Sequence, residues 1–133
     1  VPHDRGLLGH SDGDVLCHAI ADALLGASAL PDLGALFPPG DPATAGIAGT
    51  ALLREVGRRV RAVARIGNVD AIVICQAPRL AEHLPAMRAA IAEALGVGPG
   101  DVSVRAKSPE GLGALGRAEG VAAQAVALVW YLA

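Results

Sequence analysis

Apolar residues recur at helical spacing in several stretches of the chain. Val15, Ile20, Ala23 and Leu24 supply much of an apolar face over about Asp14 to Ala29. Ser11, with Asp14 three residues on, resembles a capping box for its start, and Pro31 helps end it. Leu52, Leu53, Val56, Val60 and Val63 fall on one side of a second predicted helix, Thr50 to about Ala64, with Arg54, Arg58, Arg61 and Arg65 on the other. Leu84, Met87, Ile91 and Leu95 mark a third, from about Glu82, and Gly96 is placed to end it in the left-handed conformation. "VDAIVICQ", Val69 to Gln76, reads as a buried strand broken by Pro78. "VSVRAK", 102 to 107, alternates as a strand, and Gly120 to Leu132 reads as a long final one. Residues 31–46 and 107–117, rich in Gly with Pro or Asp, are predicted loops, and long loops in a small domain are often functional. The order predicts an α/β (α+β) fold, a mixed β-sheet covered by helices, although the visible strands are few for so much helix.

Composition narrows this picture. A chain of 133 residues suits a single domain, 1–133. Hydrophobic residues make up 53% but aromatics only 2%, so the core must be built from Ala, Val, Leu and Ile, and subunit contacts would help it. The net charge of -2 gives no basic field for nucleic acid. No apolar run is long enough to span a bilayer and no signal peptide is visible, which argues against a membrane partner. Cys17 and Cys75 match no zinc or redox spacing, so they are expected as small core residues of a reduced, cytoplasmic protein. His3 and His83 are expected at the surface, and Trp130 and Tyr131 as packing or interface anchors. The chain opens "VPHDRG" without an initiator Met, like the end of a strand entering a turn, and an N-terminal truncation is expected.

Candidate chemistry gathers in a few places. His10, Asp14, His18 and Asp22 recur every four residues, which stacks side chains on one helix face. His18 and Asp14 could both meet a metal, and His10, ahead of the expected helix start, lies where free N–H groups welcome phosphate. Two ligands do not complete a tetrahedral site, so a solvated, capped helix start is the other reading of that spacing. Arg79, Arg105, Lys107 and Arg117 lie at strand ends or in loops, as binding groups on a scaffold or as solubilising charge. Glu110, between Pro109 and Gly111, is either a solvated loop carboxylate or a hard oxygen ligand for Mg²⁺ bridging phosphates.

Four segments in order, "GLLGHSDGDVLCHAIADALLGA", "DLGALFP", "CQAPRL" and "KSPEGLGALGRAEG", resemble the 2-C-methyl-D-erythritol 2,4-cyclodiphosphate synthase family. The resemblance implies a homotrimer whose sheets face the three-fold axis, with active sites between subunits. It implies a lyase of isoprenoid (terpenoid) biosynthesis by the non-mevalonate (MEP) route. In that reaction the 2-phosphate of 4-diphosphocytidyl-2-C-methyl-D-erythritol 2-phosphate attacks the β-phosphorus of its own diphosphate and CMP leaves. Two rival readings of the same residues are a non-catalytic trimeric relative that binds a nucleotide or isoprenoid phosphate, and a metal-dependent phosphohydrolase.

The resemblance also assigns roles. His18 matches a ligand of Zn²⁺, or another divalent transition metal, and Glu110 matches a ligand of Mg²⁺ or Mn²⁺. His10 and Ser11 match contacts to the methylerythritol phosphate, and His10 and Ser108 the catalytic pair. Asp32, Leu33 and Gly34 match the segment that binds the erythritol part, followed by a lid of Phe37, Pro38, Pro39, Gly40 and Asp41. Cys75, Gln76, Ala77, Pro78, Arg79, Leu80 and Ala81 match the wall of the cytosine pocket, with Arg79 where Lys is common. Lys107, Ser108, Pro109, Glu110 and Ala114 match the second substrate loop, and Arg117 would finish a phosphate clamp. Ser108 replaces a usual Thr and keeps its hydroxyl, Pro39 replaces a common acid, and Ala114 replaces a common aromatic. The resemblance implies that the remaining zinc ligands lie on an Asp-x-His strand expected ahead of Val1.

Overall fold

Eleven residues, Ala64–Ile74, form β1, the middle strand of the sheet. On one side lies β2, Val102–Lys107, parallel, from Val69↔Val102 to Ile74↔Lys107. On the other lies β3, Ala122–Tyr131, antiparallel, from Ala64↔Tyr131 to Ile74↔Ala122. The parallel pair needs a crossover, and a helix fills it, so the fold is α/β with a mixed sheet of three strands among the described residues. The computed structural model describes residues 10–38, 49–76 and 80–133, with side chains from Val15 onward. His3, Pro39, Gly40, Asp41, Ala77, Pro78 and Arg79 lie outside it, as do the side chains of His10, Ser11 and Asp14.

β1 begins five residues before the expected Val69. Ala64 to Asn68 hold little β-branched character, but the long partner β3 supplies hydrogen bonds along the whole stretch. The register slips between Ile66 and Asn68, at Gly67, where a Cβ would collide with the Trp130 ring. Arg65 lies over the same ring, 4.6 Å from its centroid.

The helices pack on one sheet face. α1, His10–Ala27, buries Leu16, Cys17, Ile20, Ala21, Leu24 and Leu25. The expected Val15 and Ala23 are only half-buried, so the buried stripe is turned slightly from the one anticipated. α1 starts four residues before Asp14, so Ser11 lies inside the helix and is not its cap, and His10 is helical rather than ahead of the start. It also ends before Pro31: Ala29 takes the left-handed conformation, φ 55°, and the Leu30 N–H donates to Leu25 O and the Ala29 N–H to Gly26 O.

α2, Leu33–Leu36, is a short turn inside the first predicted loop. α3, Gly49–Arg61, buries Leu52, Leu53, Val56 and Val60, as the pattern predicts. It ends three residues before Ala64, which leaves Val63 exposed rather than on the apolar face. α4, Leu84–Leu95, is the crossover. A 3₁₀ turn, Ala81–His83, precedes it, so its start is two residues later than expected, and His83 is half-buried rather than at the surface. Gly96 ends it at φ 71°, as predicted. Arg61 Nη1 donates to Leu95 O at 2.6 Å and fastens α3 to the end of α4.

The core is aliphatic, with Cys17 and Cys75 both buried and free of disulfide bonds. β3 turns Ala123, Ala125, Ala127 and Val129 toward it, and these small side chains let α1 lie close. Its other face exposes Val126 (73%), Leu128 (51%) and Trp130 (49%), apolar groups that no described helix covers. Tyr131 reaches back, donating its hydroxyl to Ala27 O at 2.9 Å.

Candidate functional site

β1 and β2 are parallel neighbours, so their carboxyl ends open on the same edge of the sheet, where α/β proteins hold ligands. The ladder runs one step beyond β1: the Cys75 N–H donates to Lys107 O at 3.1 Å. From there the two chains part, and a cleft of about 250 Å³ opens between them. Cys75, Gln76 and Leu80 form one wall, and Ala106, Lys107 and Ser108 the other. Cys75 and Leu80 are buried, while Lys107 and Ser108 are exposed, so the cleft has an apolar floor and a polar, cationic lip. Ala81 completes the first wall. The structure therefore brings together residues of the two segments expected to meet the base and the phosphates.

The second segment arches over the lip. Glu110 (φ 57°) and Gly111 (φ 75°) are consecutive left-handed residues. The Glu110 N–H donates to Ser108 Oγ at 3.0 Å, and the Gly111 N–H to Gln76 Oε1 at 2.9 Å. The exposed Glu110 carboxylate makes no hydrogen bond or ion pair to another described residue and is free to meet a hard cation. α5, Gly113–Gly116, a short helix within the predicted loop, carries Ala114 on its exposed side. Arg117 follows and forks onto Glu119, Nε–Oε1 3.1 Å and Nη2–Oε2 3.0 Å, so a phosphate would have to displace that carboxylate. Arg105, weighed as a binding group, forms an ion pair with Asp70 at 2.8 Å across the open sheet face.

The remaining described candidates lie outside the lining of this cleft. Asp32 caps α2, accepting the Ala35 N–H at 2.9 Å, so its first task is structural. Gly34 and Pro38 are exposed, and Leu33 and Phe37 half-buried against the core. Arg59 lies over the Phe37 ring, 5.5 Å from its centroid, and is held in turn by Glu55 at 2.9 Å. Hydrogen bonds from Arg58 and then Arg59 hold the Glu55 carboxyl at a pKa of about 2, against an ordinary 4.5. A depressed pKa means this carboxylate stabilises the fold above about pH 4.5 and that the contribution fades as pH falls toward about 2. Water reaches the pair, so the effect is modest. Glu55→Gln should flatten the urea-midpoint profile between pH 2 and 5 relative to the parent; parallel profiles would refute the ion pair.

His18 stands exposed on α1, with Asp22 exposed one turn on. Among the described residues no three His, Cys, Asp or Glu side chains gather as a metal site. One imidazole does not fit a tetrahedral zinc centre by itself.

The YgbB family model matches residues 1–130. The chain belongs to the YgbB family. A Cupriavidus necator relative named 2-C-methyl-D-erythritol 2,4-cyclodiphosphate synthase is 56% identical over 98% of this chain and 78% of its own length. A Moorella thermoacetica relative of the same name is 55% identical over 97% of this chain and 80% of its own. Among solved structures, the CDP complex of Plasmodium falciparum IspF is similar with a TM-score of 0.78 and 31% identity, over 95% of this chain and 76% of that one. The bifunctional IspDF of Campylobacter jejuni gives a TM-score of 0.85 at 36% identity, over 92% of this chain and 34% of that one. These YgbB relatives agree with the resemblance carried by the four sequence segments.

Proposed function

We propose that this chain is a cyclodiphosphate synthase, a lyase of the non-mevalonate route that cyclises 4-diphosphocytidyl-2-C-methyl-D-erythritol 2-phosphate. An oxygen of the 2-phosphate bonds to the β-phosphorus, the β-phosphorus–oxygen bond to the α-phosphate breaks, and that oxygen leaves with CMP. The observation that carries this reading is the cleft at the carboxyl ends of β1 and β2, in a chain 56% identical to a synthase over nearly its whole length.

The reaction needs no outside nucleophile, so the protein's work is holding two phosphates in line and offsetting charge. The buried walls at Cys75 and Leu80 exclude water around a flat base. Lys107 meets the phosphates at the lip, Ser108 donates its hydroxyl to the α-phosphate, and Arg117 closes on them by exchanging Glu119 for the ligand. His10, Ser11, Asp32 and Gly34 hold the methylerythritol end. Mg²⁺ or Mn²⁺, held by Glu110 and the phosphates, supplies charge neutralisation on the leaving side when bound. His18 would supply one donor to a transition metal such as zinc.

A homotrimer is part of the proposal. The exposed Val126, Leu128 and Trp130 supply an apolar face of the kind that subunits cover. His18 and Asp32 do not line the cleft of their own chain, and a neighbouring subunit would bring them to it. A cytoplasmic setting accords with two buried cysteines that match no redox spacing, and no helix of the described residues is long and apolar enough to cross a membrane.

Incubating the full-length protein with the substrate, Zn²⁺ and Mg²⁺ and following ³¹P resonances tests the reading. Equal amounts of CMP and a cyclic diphosphate are expected. Inorganic phosphate would point to a hydrolase, and binding without turnover to a non-catalytic relative.

A further inference from the structure

The two walls of the cleft come from segments 35 residues apart, and a side-chain hydrogen bond ties them: Gly111 N–H to Gln76 Oε1, 2.9 Å. We propose that Gln76 is a positioning residue. Through Gly111 it sets the 108–111 arch against the wall of Cys75, Leu80 and Ala81, so that Ser108 and Glu110 meet the same diphosphate. This rests on the proposed function for its chemistry and on geometry for its mechanics.

The arch needs such a restraint. Glu110 sits at φ 57°, where a non-glycine residue costs about 1–2 kcal/mol, and Gly111 follows at φ 75°. A local conformation of that kind persists only where its surroundings over-determine it. Lys107, Ser108 and residues 110–114 are exposed, so burial supplies little of the restraint. The internal bond from the Glu110 N–H to Ser108 Oγ shapes the arch but does not fix it to the wall. Gly111 is instead held from two sides. The Gln76 carbonyl takes its N–H, and Gly116 packs so close that a Cβ there would overlap the Gly111 backbone. Gln76 itself is half-buried, two residues beyond the end of β1, and lines the cleft with Lys107 and Ser108. Its place ties loop position to the sheet, and phosphoryl transfer is sensitive to that: a shift of ~1 Å can cost about 100-fold in rate.

The test uses the full-length protein and two substitutions. Gln76→Ala removes the acceptor, and Gln76→Glu keeps an oxygen at the same reach. Amide hydrogen exchange of Gly111, read by NMR, is expected to accelerate in Gln76→Ala and to regain protection in Gln76→Glu. Turnover by Gln76→Ala should fall by roughly 10- to 100-fold with KM changed less than about threefold, because Cys75, Leu80 and Ala81 still line that side of the cleft. Unchanged Gly111 exchange in Gln76→Ala would overturn the tether. Faster exchange with unaltered kcat would overturn its role in positioning, and so would a loss confined to KM. Absence of turnover in the parent protein would instead defeat the functional reading, while the exchange measurement would still decide the tether.

Discussion

Glu110→Gln lowers turnover by about 100-fold or more and leaves the melting temperature within about 2 °C of the parent. The two side chains share shape and reach, so the left-handed φ of 57° at this position is no more strained in the variant. The backbone N–H that bonds Ser108 Oγ is also retained. Only the carboxylate's charge is lost. It is exposed and unpaired with any described residue, so the fold does not depend on it. A cation held by this carboxylate would depend on it, and would contribute several kcal/mol to a charged transition state. Steady-state kinetics at varied Mg²⁺ should show the loss mainly in kcat, partly recovered at high Mg²⁺. Full activity in Glu110→Gln would remove this residue from the metal.

Leu24→Ala destabilises the protein by about 2–5 kcal/mol. Leu24 is fully buried on α1, the helix that packs on both β3 and α3. The β3 residues turned to the core are Ala123, Ala125, Ala127 and Val129, mostly too short to move into a hole. The cavity therefore stays open, and the cost sits high in that range. Urea unfolding checks it, with the exposed Asp22→Ala on the same helix as a control that should move stability by less than about 0.5 kcal/mol. A loss below about 1 kcal/mol at Leu24 would mean α1 does not pack as described.

What the chain order discloses follows from how local each feature is. The stripe of α3 and the left-handed Gly96 are local, and both stand where the spacing puts them. β2 alternates over its whole length and has the expected bounds. The first half of β1 is not local. Ala64, Arg65 and Gly67 are strand only because β3 lies beside them, and nothing in their own identities reports that partner. α2 and α5 escape notice because four residues of Leu, Gly and Ala in Gly-rich surroundings have no periodicity to show. The Ser11 signal misplaced the start of α1, since a hydroxyl before an apolar run resembles a cap even inside a helix.

The site divides in the same way. Resemblance named both segments, but no spacing could reveal that Ile74 pairs with Lys107 and so brings Gln76 to Gly111. The isolated arginines read ambiguously because their partners are distant or incidental: Asp70 takes Arg105, and Glu119 takes Arg117. Gly116 carries a signal that could have been read. In a glycine-rich arch, a glycine five residues after another invites close backbone contact.

Where a cytidine diphosphate sits tests the proposed site most directly. CDP titrated with Mg²⁺ into isotopically labelled full-length protein should move the amide resonances of Cys75, Gln76, Leu80, Lys107 and Ser108 together, with one shared affinity. Shifts confined to the cleft at the opposite end of β1, around Arg61, Arg65 and Asp101, would contradict it.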